Sequence, residues 1–266
     1  MKTKKVVLVT GGTSGIGEAC VRKLLEEGCM VYECSRRAVG TVPGATHLSC
    51  DVTDEAQVQA AVDKVVAEAG RIDAVINNAG FGISGAVEYT KGADARKQFD
   101  VNFFGLVNVN HAVLPYLHRQ KSGSIVNISS VAAPIAIPFQ AYYSASKAAI
   151  LSYSLALLNE VRPYGIQVVT ILPGDIKTGF TAAREKSIEG DDAYGGRIGR
   201  SVAVMEHDEQ NGIDPGDAAA VIVKQALCKR PKTVCTIGGS YKLFVFLSRI
   251  VPYNLMYRIV GMIYGK

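Results

Sequence analysis

Apolar residues along the chain follow two alternating periods. Short β-branched or apolar runs lie at 5–10, 29–34, 46–50, 74–76, 124–129, 167–172 and 233–237. Each is too short for a helix and reads as a buried strand. Longer stretches between most of them repeat apolar residues at helical spacing. They predict a helix that follows the turn ending at Gly17, runs to about residue 27 and is stopped by Gly28, and a second running to about 69, capped by Thr53 or Asp54. A long helix is expected over 93–119, with Asn102 and Asn110 among apolar neighbours and Pro115 as a kink near its end. The helix carrying Tyr143 and Lys147 runs to about 161, its apolar positions wrapping widely. Asp214 then caps a helix that has Pro215 at its first position and ends near 230. Residues 180–212 combine charge, glycine and weak periodicity, and read as a mobile lid or short helices. Strands alternating with helices predict an α/β, doubly wound parallel sheet of about seven strands in a single domain. Residues 1–240 are assigned to dinucleotide binding and catalysis, and 241–266 to an apolar and basic extension, a lid or an interface.

The first strand runs straight into a glycine-rich turn, Gly11, Gly12, Thr13, Ser14, Gly15, Ile16, Gly17, which opens the first helix. Such a turn lets backbone approach a pyrophosphate, which then rests on the helix N-terminus. The spacing is G-x-x-x-G-x-G rather than G-x-G-x-x-G, but its place in a strand–turn–helix–strand unit makes the fold Rossmann-type. The fourth strand ends in a polar turn, Asn77, Asn78, Ala79, Gly80, where open α/β sheets bind ligands. NAD-specific sites place an acidic residue at the end of the second strand. Here Ser35 holds that position, followed by Arg36 and Arg37, and a guanidinium pairs a 2′-phosphate in bidentate fashion. Glu33 shares the face of Ser35 but lies earlier in the strand, off the ribose. The expected cofactor is NADP(H).

Composition narrows the picture. A net charge of +5, spread over 266 residues, gives no reason to expect nucleic-acid binding. The basic start, Met1 to Lys5, with the apolar residues 6–9, imitates a signal peptide, but glycines follow too soon. No run of 18 apolar residues suggests a spanning helix. Six cysteines without a C-x-x-C pair read as reduced thiols of a cytoplasmic protein, and no Cys/His cluster has metal-ligand spacing.

Tyr143 and Lys147 are four residues apart, one helical turn, and so share a face. A phenol with its ordinary pKa of about 10 is a poor acid or base at neutral pH, and a neighbouring cation is expected to lower it. That would suit it to acid–base work.

Taken together, Thr10-Gly11-x-x-x-Gly15-x-Gly17, Asn77-Asn78-Ala79-Gly80, Asn102, Ser130, Tyr143-x-x-x-Lys147 and Pro173-Gly174 resemble the short-chain dehydrogenases/reductases of the classical type over about residues 3–238. The short link after the second strand and the segment Phe99 to Gly105 are similar to the hydroxysteroid dehydrogenase and acyl-dihydroxyacetone-phosphate reductase branch. The resemblance implies a tetrad of Asn102, Ser130, Tyr143 and Lys147. In it Ser130 binds the carbonyl oxygen, Tyr143 delivers the proton, Lys147 holds the ribose, and Asn102 supports a water relay. Ser129 and Tyr142 would be decoys. It also implies cofactor contacts from Asp51 and Val52 at the adenine, from Asn78, Ala79 and Gly80 at the ribose, and from Ile176 and Thr178 after Pro173 and Gly174. The family habit, with the broad apolar faces of the helices around Asn102 and Tyr143, implies a homodimer or homotetramer.

The expected activity is reduction of a ketone or aldehyde, or oxidation of the corresponding alcohol. A silent NADP(H)-binding regulator is the alternative, and the complete tetrad argues against it. An epimerase or dehydratase of the extended branch is disfavoured by the glycine spacing and the short C-terminal portion. Phe81, Ile83, Pro134, Ile135, Ile137, Phe139 and Phe180 suggest an apolar pocket for a lipid, steroid or retinoid-like molecule. The tail has three readings: a cover for core or subunit interface, a substrate lid, or a weak membrane-surface contact. Pro252 divides it into pieces too short to span a bilayer.

Overall fold

The computed structural model describes residues 4–265; Met1–Thr3 of the basic start and Lys266 lie outside the described residues. The strands are β1 (Val6–Thr10), β2 (Met30–Ser35), β3 (Thr46–Ser49), β4 (Ala74–Asn77), β5 (Ile83–Ser84), β6 (Gly123–Ile128), β7 (Ile166–Pro173), β8 (Glu185–Lys186) and β9 (Val234–Ile237). Seven of them form one sheet in the order β3-β2-β1-β4-β6-β7-β9, while β5 and β8 pair separately. Every neighbour in the large sheet is parallel. The chain steps outward from β1 to β3, then returns past β1 to β4. This reversal opens a crevice at the carboxyl ends of β1 and β4.

The helices are α1 (Gly15–Glu26), α2 (Glu55–Ala69), α3 (Gly92–Phe99), α4 (Gly105–Gln120), α5 (Ala141–Val161), α6 (Phe180–Ala183), α7 (Arg197–Gln210), α8 (Pro215–Leu227), α9 (Gly239–Leu247) and α10 (Tyr253–Tyr264). Successive residues of β1 point to opposite faces, as a pleated strand requires. Val6 and Leu8 pack with Val62 of α2, Val113 of α4 and Leu157 of α5. Val7 and Val9 pack with Leu24 of α1 and Ile222 of α8. Both faces are therefore covered, which an all-parallel sheet needs.

Local chemistry sets the helix ends. Gly28, at φ +75°, follows α1 and takes a left-handed conformation cheap only for glycine. Of the two candidate caps for α2, Asp54 is the one used: its carboxylate accepts from the Gln57 N–H. Asp214 caps α8 through the Gly216 N–H at 2.7 Å, with Pro215 behind it. The helix expected over 93–119 is interrupted. Between α3 and α4 lies a π-helical turn, Asp100–Phe104, holding Asn102. Such turns occur mainly at functional sites.

Residues 180–212 contain α6, β8 and α7, with β8 pairing β5. The tail is a helical pair, with Pro252 as the N-cap of α10. Met256 and Val260 pack on Ile135. Its outward side leaves Leu243, Phe246, Ile250 and Tyr253 exposed beside Lys242, Arg249 and Arg258. Among the described residues no helix is long and apolar enough to cross a membrane.

Candidate active site

A cleft of about 460 Å³ lies where the glycine turn, the ends of β4, β6 and β7, and helix α5 converge. Two motifs distant in sequence form its floor as one unit. The Thr10 Oγ1 accepts from the backbone N–H of Asn78 and of Ala79, each at 3.0 Å. The Asn78 side-chain amide donates to the carbonyls of Thr10 (3.1 Å) and Gly11 (3.2 Å). Gly17 explains part of the spacing, since a Cβ there would lie 2.2 Å from the Gly11 carbonyl oxygen. Gly11, Ser14, Gly15 and Ile16 line the cleft. Thr13 and Gly17 are buried outside its walls.

Asn78, Ala79, Gly80, Pro173, Gly174, Ile176 and Thr178 also line it. Asp51 and Val52 do not. Asp51 turns its carboxylate onto Thr53, accepting from the backbone N–H at 2.9 Å and the hydroxyl at 2.8 Å. Val52 packs against Gly105, where an added Cβ would come within 2.6 Å of the valine. At the end of β2, Arg37 borders the cleft and Arg36 does not. Glu33 is 1% exposed, beneath Gly12, and pairs with His47. The other ring nitrogen of His47 lies 2.9 Å from the Arg37 carbonyl oxygen, so His47 ties the buried strand to the basic loop.

Ser130, Tyr143 and Lys147 share one wall. The Lys147 Nζ donates to the Ile128 carbonyl at 3.0 Å and lies 5.7 Å from the Tyr143 ring centre. Ser129 is engaged elsewhere: its hydroxyl donates to the Lys147 carbonyl at 2.7 Å. Tyr142 stands outside the walls. Asn102 is buried behind them. Its amide nitrogen donates to the Phe81 carbonyl (3.0 Å) and Ser146 Oγ (3.1 Å), and its oxygen accepts from the Phe81 N–H (2.9 Å). Asn102 and Lys147 flank Gly80, whose missing Cβ would lie 3.1 Å from the Asn102 Oδ1 and 3.6 Å from the Lys147 Nζ.

The expected depression of the Tyr143 pKa is not what this environment produces. Desolvation pushes the phenol up to about 12, and a hydrogen bond with Ser130 only partly offsets it. Desolvation also drives Lys147 down to about 8. Both groups are pressed toward neutrality because they are packed into the cleft wall, Lys147 buried and Tyr143 half-buried, where each charge is costly.

Of the apolar residues expected at the mouth, Ile137 and Phe180 line the cleft. Ile135 and Phe139 instead pack elsewhere, under the tail and against Tyr194. A polar group that sequence reading missed does line it: Asp175, Arg184, Glu209, Tyr241 and Tyr264. Arg184 pairs with Glu209, and Tyr241 donates to Asp175. Asp175 had a signal, its position one residue past Pro173-Gly174 at a strand's carboxyl end. The others come from segments whose placement only tertiary packing sets.

Residues 5–189 match the short chain dehydrogenase family. The chain is 39% identical over 255 residues to a 3-ketodihydrosphingosine reductase from Bacteroides thetaiotaomicron, covering 95% of each. Its structure is similar to that of a short-chain dehydrogenase from Streptomyces avermitilis, with a TM-score of 0.85, 31% identity and 98% of both chains covered. A short-chain dehydrogenase from Burkholderia cenocepacia, solved in complex with NADP, gives a TM-score of 0.77 at 26% identity, covering 97% of this chain and 98% of that one. With this sheet order, the glycine turn on β1 and a serine, tyrosine and lysine on one cleft wall, the chain belongs to the short-chain dehydrogenases/reductases of the classical type, a family of oxidoreductases.

Proposed function

We propose that the protein is an NADP(H)-dependent carbonyl reductase acting on a ketone in a long-chain, largely apolar molecule of the 3-ketodihydrosphingosine kind. The observation that carries this reading is the convergence of Ser130, Tyr143 and Lys147 on a cleft floored by the glycine turn. The residues present fit a dinucleotide. Gly15, at φ +54°, faces Thr178, and a Cβ on it would sit 3.4 Å from that side chain, narrowing the cradle between turn and strand end. Gly11, Ser14, Gly15 and Ile16 would hold the pyrophosphate, with Asn78 to Gly80 and Thr178 beside the ribose and carboxamide. Arg37 supports the 2′-phosphate reading, since Glu33, the acid of that strand, is committed to His47. When bound, NADP(H) supplies the hydride.

The protein's own groups handle the oxygen. Ser130 Oγ hydrogen-bonds the carbonyl oxygen and stabilises the charge that develops there. The Tyr143 hydroxyl gives its proton to the same oxygen. Lys147, held by Ile128, orients the ribose and favours the phenolate left behind. Asn102 fixes the Phe81 backbone, and so the turn that places Gly80 beside that lysine. Ile137, Phe180 and Met205 give the substrate end apolar walls.

Two further assignments belong to this reading. Phe104, the last residue of the π turn, and Leu155 on α5, 51% and 39% exposed, support a homo-oligomer formed through those elements. The exposed apolar residues of α9 and α10, with Lys242, Arg249 and Arg258, support contact with an anionic lipid surface. The testing experiment is NADPH oxidation against small, steroidal, acyl and long-chain ketones. Turnover confined to the long-chain ketones is the expected result. No turnover with any of them would favour a silent cofactor-binding protein.

A further inference from the structure

We infer that His47 is a positioning residue for cofactor choice: with its ring fixed by Glu33, it holds the main chain at Arg37 so that the guanidinium meets the 2′-phosphate. The inference rests on the NADP(H) reading and adds to it the device that positions Arg37.

Arg37 reaches the cleft from a segment with little of its own to hold it. Residues 36–40 are all exposed. Among the described residues they make one hydrogen bond, at the Arg37 carbonyl. The partner is His47 Nε2 of β3, at 2.9 Å. A carbonyl oxygen only accepts, so this nitrogen carries the hydrogen. A guanidinium on an untethered backbone would lose affinity to the entropy of ordering it. A bond to the main chain of the same residue removes part of that cost before the cofactor arrives.

The strand beneath supplies the rest of the device. Glu33 and His47 are register partners across the β2–β3 ladder, and the other ring nitrogen faces the Glu33 carboxyl. Glu33 is outside the cleft walls, and its second oxygen makes no hydrogen bond. A carboxyl group buried on a single partner is costly. What it provides is orientation: the bond at one ring nitrogen sets the tautomer and direction of the other. The loop closes over the pair at Gly40, where an added Cβ would lie 3.0 Å from the His47 Cβ and 3.1 Å from the Glu33 Oε1. Beyond it the Thr41 hydroxyl donates to the Thr13 carbonyl at 3.4 Å, tying the loop to the glycine turn. Buried acid, histidine and loop thus form one line of contacts that ends at the cation of the cleft.

The test is fluorescence titration with NADPH and with NADH, so that no substrate enters it. Glu33→Gln combined with His47→Phe removes the bond to Arg37 without leaving an unpaired buried charge. Its Kd for NADPH is expected to rise about 3–10-fold, the range of one hydrogen bond, while its Kd for NADH stays within about twofold of the wild type. His47→Gln keeps an N–H donor and should hold the NADPH Kd within about twofold of the wild type. In an Arg37→Ala background the paired substitution should add no further loss, because both act through one contact. Equal losses for NADPH and NADH, a loss in His47→Gln as large as in the paired substitution, or additive losses with Arg37→Ala would overturn the inference. If Arg37→Ala keeps the wild-type preference, or the wild type has none, the NADP(H) reading fails and the inference falls with it. If Arg37→Ala loses the preference while the paired substitution keeps it, the inference alone fails.

Discussion

The Lys147 Nζ lies 5.7 Å from the centre of the Tyr143 ring and donates at 3.0 Å to the Ile128 carbonyl. The pair that a four-residue spacing puts on one helix face is thus tied to the carboxyl end of β6, in the middle of the sheet. The same burial that positions the two groups pushes the phenol up to about 12 and the ammonium down to about 8.

Stability should therefore depend on pH through Lys147. Its folded pKa, about 8, lies below the ordinary 10.5. Between those values the unfolded chain holds a proton that the folded chain has released, so this group makes stability rise with pH across that window. Tyr143 has the opposite sign: its folded pKa is the higher one, and its contribution is lost as pH climbs from 10 toward 12. Urea unfolding between pH 8 and 10.5 should show a rising component in the wild type that is missing in Lys147→Met. An identical pH slope in the two proteins would show that Lys147 is not held as a neutral-leaning amine.

Tyr143→Phe keeps the ring against Phe180 and removes the acidic hydroxyl. We expect kcat to fall by about 10²–10⁴-fold, the usual weight of general acid–base catalysis. NADPH affinity, followed by fluorescence, should stay within a factor of about three, well short of the tenfold that 1.4 kcal/mol represents. Retention of a tenth or more of the turnover would remove the proton-donor role.

Cofactor choice should rest on Arg37 more than on Arg36, because Arg37 alone of the two borders the cleft. Arg37→Ala is expected to raise KM for NADPH by about 10–100-fold and to leave KM for NADH nearly unchanged. Arg36→Ala should have a smaller effect. Parallel losses with both cofactors in Arg37→Ala would mean that the guanidinium does not read a 2′-phosphate.

On the proposed reading the outward side of α9 meets an anionic lipid surface. Leu243→Glu combined with Phe246→Glu replaces two side chains that are 58% and 57% exposed. Co-sedimentation with anionic vesicles should be lost, with Tm and turnover of a soluble ketone unchanged. Vesicle binding that is absent in the wild type, or that survives the double substitution, would refute the contact.

Local chemistry made much of the fold legible in advance. Strand runs alternating with helical periodicity, Gly28 after α1, a cap at Thr53 or Asp54 before α2 and the Asp214-Pro215 cap all act within a few residues of themselves, so their meaning survives without tertiary context. The same holds for the glycine turn and for Tyr143 and Lys147, whose spacing is a property of one helix. The π turn at Asn102 was not legible. There the Asn102 amide bonds the backbone N–H and carbonyl of Phe81, 21 residues away in sequence, a contact no local pattern announces.

What the sequence determined alone was the order of the elements, the parallel sheet they imply and the pairing of Tyr143 with Lys147 on one helix face, because these follow from periodicity and short-range spacing; the roles of Asn102 and Ser130 came from the resemblance to the family. Tertiary structure decided three other things. It buried Glu33 against His47 and brought Arg37, not Arg36, to the cleft. It pressed Tyr143 and Lys147 toward neutrality, since desolvation depends on what surrounds a helix face and not on the face itself. It also carried Arg184, Glu209 and Tyr241, from three separate segments, to the side of Asp175. Side chains so far apart along the chain have no common signal in it, and only the packing of α6, α7 and α9 around the end of β7 brings them together.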